Sequence, residues 1–319
     1  TVKGYRGSYL TAYNNGDYGV YAFDAVDGVL DHSYASGSPD AGFYIGQCYP
    51  CDAIVNNVIS ENNGLGYSGT NSGGSLYIIS SVFKNNKGGL APNTLDSELL
   101  PPERETFIIG NLIENNNNID APATQSTNLS LGNGVVIAGG NNNVIKNNVI
   151  ANHNLYGVII TATADVNYWP AHGNRVESNL IINSKRADIA SSGLSNLGNC
   201  FENNYFNTSI PPGLQTLNNC DSSFYPLSAD LSGMWSSLAR VIQTSDGNYS
   251  QGDWRTFEAP ANQPNMPIMD ELMSLGYDKT SLPVTKIWSS VKPAVEVFSQ
   301  YEDVLEVIEL PEEARNYLN

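Results

Sequence analysis

Basic residues are scarce in this chain. Its 319 residues carry 15 Lys and Arg against 32 Asp and Glu, a formal net charge of −17, and the pI is near 4.4. Nucleic-acid binding needs clustered Lys and Arg, so that class is excluded, and anionic membranes are disfavoured on the same ground. Polyanionic sugars are not excluded, because bound calcium inverts a local field. The charge also serves solubility outside the cell. Long apolar runs are missing too. The chain is 41% hydrophobic but never approaches the roughly 18 consecutive apolar residues of a spanning helix. No signal peptide is visible. The chain starts inside its own pattern at Thr1-Val2-Lys3-Gly4, which reads as a mature or truncated chain whose first coil needs another segment or chain over its open end. Catalytic signatures are absent: no G-x-S-x-G, H-E-x-x-H, P-loop or EF-hand loop occurs.

Cysteine is sparse, at four residues: Cys48, Cys51, Cys200 and Cys220. Of the three pairings, the local ones, Cys48–Cys51 and Cys200–Cys220, fit best. The C-x-x-C at Cys48 admits a redox reading, but it lacks the βαβ setting of such motifs. A loop staple in a secreted protein is the reading adopted.

What the chain does have is a recurring phrase. Asn57-Val58-Ile59, Asn111-Leu112-Ile113, Asn148-Val149-Ile150, Asn179-Leu180-Ile181 and Asn204-Tyr205-Phe206 share it, with Ser81-Val82-Phe83 in the same slot. The phrases recur at steps of roughly 24–37 residues, a period that indicates a solenoid. The short β-branched phrase indicates one strand per repeat rather than a helix pair. A second column, Tyr21, Tyr44, Tyr67 and Leu90, recurs at a constant step of about 23 residues, again one coil of a solenoid. The chain is therefore all-β, a parallel β-helix over residues 1–220, followed by a partly helical capping or wrapping extension over 221–319. Short helices are expected at 228–242, at Met269 to Leu275 and from Lys292 through Glu309. Asn suits the corners because it tolerates left-handed backbone, and its amide can bond to the same residue one coil away, forming an asparagine ladder.

Residues one coil apart in sequence are about 4.8 Å apart in space, so chemistry has to be sought in stacked constellations. Asp27, Asp31, His32 and Asp40 form the first. His32 falls in the Asn57 column, either as a general acid or base flanked by carboxylates or as a corner residue. The insertion after Leu90 forms the second, with Asp96, Glu98, Glu103, Arg104 and Glu105. Asp40, Gln47, Thr70 and Asn93 sit near the Tyr column and could share a face with it. Close carboxylates there would bind calcium or act as an acid–base pair, or simply form a solvated acidic loop. The third is aromatic: Tyr168 and Trp169 on an insertion, with Tyr44 and Tyr67 in the column. Such rings suit sugar faces, unless they are only stacked strand residues. The candidates for chemistry are Asp40, Asp96, Glu98 and His32; for substrate contact, Tyr44, Tyr67, Asn93, Arg104, Tyr168 and Trp169.

These repeat phrases resemble, over roughly residues 15–210, the right-handed parallel β-helix repeat of pectate-lyase-like and NosD-like proteins. The resemblance implies that fold. In activity it spans polysaccharide lyases, hydrolases and C5-epimerases, as well as adhesins. Arg6, Lys84, Lys87, Arg104, Lys146, Arg175, Lys185 and Arg186 form no lyase motif, and Asp31-His32 lacks the Pro of an epimerase-like Asp-Pro-His, so no site residue carries over. The sequence leads to a secreted bacterial β-helix protein that binds an extracellular polysaccharide, and leaves open whether it also acts on it as a lyase, hydrolase or epimerase. The alternative is a cell-surface or filament-type scaffold that self-assembles. The expected groove runs beside the Tyr column, between the 91–105 and 161–173 loops.

Overall fold

The computed structural model describes residues 1–194, 196–221, 231–245 and 247–260. Three long parallel sheets make up the body. Sheet A has eight strands, from Val20–Phe23 through Ala41–Gly46, Leu65–Thr70, Gly88–Asn93, Val135–Ala138, Tyr156–Thr161 and Ala187–Ser192 to Ser209–Ile210. Sheet B, also eight-stranded, runs from Arg6–Ser8 to Cys200–Glu202, and the seven-stranded sheet C from Thr11–Tyr13 to Leu180–Ile182. The chain visits B, C and A in turn and pairs each strand with its equivalent one coil later. This is a right-handed parallel β-helix, the hand that parallel crossover connections adopt almost without exception.

The interior is built from stacked columns. Sheet B supplies Leu30, Val55, Ile78, Ile108, Ile145, Val176 and Phe201, in register from coil to coil. Sheet A supplies Phe43, Tyr67, Leu90, Val135, Val158 and Ile189, and each of these side chains is at most 4% exposed. Burying one such side chain stabilises by about 1.5–3 kcal/mol relative to leaving it in water, so register is tightly specified.

The corners explain the abundance of Asn. Between sheets B and C, one column has left-handed backbone at His32, Asn57, Ser80, Gly110, Asn147, Ser178 and Asn203. The next residue along forms the ladder. The Asn148 amide donates to Ile108 O at 2.9 Å and to Asn179 Oδ1 at 2.9 Å, while its own Oδ1 accepts from the Asn111 backbone N–H at 2.9 Å. Ser81 begins this ladder, and Asn204 ends it on Gln215 Oε1 at 2.9 Å. Between sheets C and A, Asn62, Asn85, Asn115, Asn152 and Asn183 are left-handed, and Asn63, Asn86 and Asn116 form a second ladder. Asn57 thus differs from its expected place. Ile59 pairs with Val82 and Val82 with Leu112, so Val58, not Asn57, occupies the ladder position of Asn111. Asn57 and His32 share the left-handed corner column.

Both disulfides are the local ones, Cys48–Cys51 and Cys200–Cys220, and Cys48 and Cys51 are buried. A helix covers Ser232–Thr244. The expected helices at 269–275 and 292–309 lie outside the described residues. Residues 247–260 run back along the side of the coils: Lys87 Nζ donates to Ser250 O at 2.6 Å, and Asn14 Nδ2 to Phe257 O at 2.9 Å.

Candidate functional site

Sheet A carries the insertions that interrupt the repeat. Between Asn93 and Arg104 the chain loops out; from 115 to 134 it makes a second excursion holding the short helix Gln125–Asn128; and after Thr161 it forms a hairpin that pairs Thr163–Ala164 with Tyr168–Trp169. With the helix Ser232–Thr244, these segments wall a groove of ≈ 720 Å³ on the outer face of sheet A. Leu65, Ala91, Val136 and Ile159 form an apolar floor, and Tyr18, Asp40, Thr70, Asn93 and Glu98 line one end.

The polar end is assembled from four successive coils. Tyr21 and Tyr44 pair in register on the outer face, and their rings stack 4.9 Å apart at 23°. Tyr18 lies against both, at 4.6 and 4.8 Å. The Tyr44 hydroxyl donates to the Glu98 carboxylate, 2.7 Å from Oε1 and 2.9 Å from Oε2. Glu98 reaches this place because its loop is pinned. Asn71 Nδ2 donates to Leu95 O at 2.7 Å and to Glu98 O at 2.8 Å, and the Leu99 N–H donates to Gln47 Oε1 at 2.8 Å. Asp40 lies one coil above Asp17 and donates its N–H to Asp17 O at 2.9 Å. Burial, and then the neighbouring charges of Asp17 and Glu98, push the Asp40 carboxyl up to about 7, against a lowering bond from Tyr18. Burial also raises Glu98, opposed by the Tyr44 hydrogen bond. Both carboxyl groups thus line one groove and both are pushed upward by burial.

The remaining candidates lie elsewhere. Asp96 is a clasp: it accepts from Asn167 N at 2.7 Å, Asn167 Nδ2 at 2.7 Å and Trp169 Nε1 at 3.2 Å, and these bonds hold its carboxyl below the usual range. Trp169 is thereby tied down, and the Tyr168 hydroxyl donates to Leu194 O at 2.6 Å. Asp96, Tyr168 and Trp169 therefore shape the wall rather than line the groove. Asn93 does line it, with Oδ1 accepting from the Thr70 hydroxyl at 3.0 Å. Tyr67 points into the core, fully buried. Tyr44 pairs with Ser68, so the coil between them is one residue longer than a regular Tyr column requires, and a one-residue slip turns a side chain to the opposite face. Arg104 leaves the groove altogether, its guanidinium 3.6 Å over the ring of Tyr49 in the bend between sheets A and B. His32 sits at the sheet B–C corner, stacked on Tyr9 at 5.0 Å with Nδ1 3.2 Å from Asp31 Oδ2.

Among the described residues, only Glu177, Glu202 and Cys220 bring three potential metal-ligand atoms within 4.8 Å of one another. Cys220 Sγ is committed to its disulfide, and Glu177 pairs with Lys146 and Arg175. Asp40, Asp96 and Glu98 form no such group. Sequence reasoning missed Asp17 and Tyr18, the insertion 115–134 and Arg240 of the helix as parts of the groove. A signal existed for the first two: Asp17-Tyr18-Gly19-Val20 aligns with Asp40-Ala41-Gly42-Phe43 at the early repeat.

No family model matches the chain, and no curated protein does. Solved structures do. The A-module of the Azotobacter vinelandii mannuronan C-5 epimerase AlgE4 aligns at 17% identity over 64% of this chain and 57% of that one, with a TM-score of 0.41. The periplasmic alginate epimerase AlgG aligns at 12% identity over 64% and 46%, with a TM-score of 0.43, and a double mutant of it at 14% over 64% and 48%, with a TM-score of 0.48. The chain spans about half the length of the solved chains it matches.

Proposed function

We propose that this protein binds an extracellular polysaccharide along the outer face of sheet A and modifies it by acid–base chemistry at Asp40 and Glu98. The observation that carries the reading is the placement of Glu98, 54 residues away in sequence, on the Tyr44 hydroxyl beside Asp40 at one end of the groove. The apolar floor offers a surface for the C–H faces of sugar rings. Asp40, pushed up to about 7, holds its proton as general acid, while Glu98, hydrogen-bonded by the Tyr44 hydroxyl, serves as general base. Such a pair fits hydrolysis, or proton removal and return at a ring carbon. Two buried or half-buried disulfides suit an oxidising compartment, and no helix among the described residues is long and apolar enough to cross a membrane.

The test is a digest of neutral, uronic and amine-bearing polysaccharides, following reducing ends, unsaturated sugars and C5 inversion by NMR. Turnover that falls at least about 100-fold in Glu98→Gln and in Asp40→Asn supports the proposal, since general acid–base groups contribute on the order of 10²–10⁴-fold. Binding without turnover in the wild type leaves the scaffold or adhesin reading.

A further inference from the structure

We propose that the groove selects glycans carrying protonated amines, such as a hexosamine polymer with free amino groups, over uronate polymers. The inference rests on the groove reading above and adds its substrate class. At the polar end, Asp40 and Glu98 line the groove with Asp17 directly behind Asp40, and among the described residues no Lys or Arg accompanies them there. Among the described residues, the one cation lining the groove is Arg240 of the helix, and its NH1 is engaged with Leu129 O at 2.9 Å and Leu131 O at 2.7 Å. A uronate carboxylate at this end would face the carboxyl groups of Glu98, Asp40 and Asp17, with no Lys or Arg among the described residues there to pair with it. An ammonium instead brings three donors to acceptors already fixed in place: Glu98 by the Asn71 and Gln47 bonds, Asn93 by Thr70. The net charge of −17 adds long-range attraction for a polycation.

A second observation points to a polar ligand in the same groove. Tyr156 is 1% exposed and lines the groove, yet its hydroxyl has no hydrogen-bond partner among the described residues. A buried hydroxyl without a partner is costly, and a sugar hydroxyl seated on the floor supplies one. The groove thus combines an acidic end for an amine, an apolar floor for ring faces and the Tyr156 hydroxyl for a neutral sugar group.

The experiment is calorimetric titration of the full chain with three hexasaccharides: a polyuronate, an N-acetylated hexosamine polymer and its de-N-acetylated counterpart. The de-N-acetylated hexamer is expected to bind at least about 10-fold more tightly than the other two, with affinity falling as salt rises. Glu98→Gln should erase most of that preference, Tyr156→Phe should weaken binding without changing the preference, and Val136→Trp, which fills the floor, should abolish binding. Equal or tighter uronate binding that Val136→Trp still abolishes would overturn the selectivity and leave the groove reading standing. Amine binding that survives Val136→Trp would be attraction to net charge alone and would also overturn the selectivity. No binding by any hexamer would overturn both. Glu98 is on a surface loop, so its Gln variant is expected to fold whatever the fate of Val136→Trp, and thermal melts of each variant check this.

Discussion

Glu103 shows what a single buried carboxyl does to this protein. Its side chain is completely buried, with Oε1 2.7 Å from the Thr106 hydroxyl and Oε2 accepting from Asn143 Nδ2 at 2.8 Å. Burial pushes it up to about 8, against those two bonds. An unfolded Glu releases its proton near pH ~4.3, so between there and pH 8 the folded protein binds more protons than the unfolded one. Stability is therefore full below that window and falls as pH rises through it. Asp40 adds the same sign up to about 7. Urea midpoints should be higher at pH 5 than at pH 8. Glu103→Gln, able to donate to Thr106 Oγ1 and accept from Asn143, should flatten the part of that slope between pH 7 and 8; a slope unchanged in the variant would show that the carboxyl is not protonated in the fold. The same residue-scale logic gives the pH dependence of turnover. Activity should decline on the alkaline side near pH 7, as Asp40 loses its proton, and on the acid side as Glu98 gains one. Asp40→Asn should remove the alkaline limb along with most of the rate.

At the scale of elements, adjacent Asn residues have different jobs. Asn148 bridges three buried backbone or amide groups within its ladder, and each group left unsatisfied costs about 1–3 kcal/mol. Asn148→Ala should therefore lose about 3 kcal/mol or more in denaturant unfolding. Its neighbour Asn147 holds a left-handed corner with φ 55°; Asn147→Gly should change stability by a few tenths of a kcal/mol and Asn147→Val should cost about 1–2 kcal/mol. A reversal of the order between Asn148→Ala and Asn147→Gly would contradict the ladder assignment. Asp96 clasps the 163–169 hairpin from a separate loop, so Asp96→Ala should speed proteolytic cleavage within that hairpin while leaving the melting temperature within a few degrees. The repeat itself was legible in the sequence, because Asn at corners and apolar residues in columns follow from backbone geometry. The facing of individual residues was not. Asn57 and Tyr67 are each off by one position, since successive coils differ slightly in length and a repeat phrase does not reveal which coil carries the extra residue.

For the whole molecule, the sequence could place the insertions but not what they meet. Asp96 and Glu98 are two residues apart, yet one bonds the hairpin 71 residues later and the other a tyrosine 54 residues earlier. Nothing local to the loop distinguishes them. The position of Asp40 beside the Tyr column was readable through its coil neighbours, whereas Arg104 was misplaced because a strand begins at it and turns it onto Tyr49. The strap at 247–260 is another feature of this scale: it ties Lys87 in one coil and Asn14 three coils earlier to a single segment.

The measurement that tests the central claim most directly is hydrogen–deuterium exchange with and without the tightest-binding hexasaccharide of the three. The account predicts added protection on the outer strands 65–70 and 88–93, the 94–103 loop and the 115–134 insertion, with sheet C unchanged. Protection centred on sheet B or C, or none along sheet A, would contradict it.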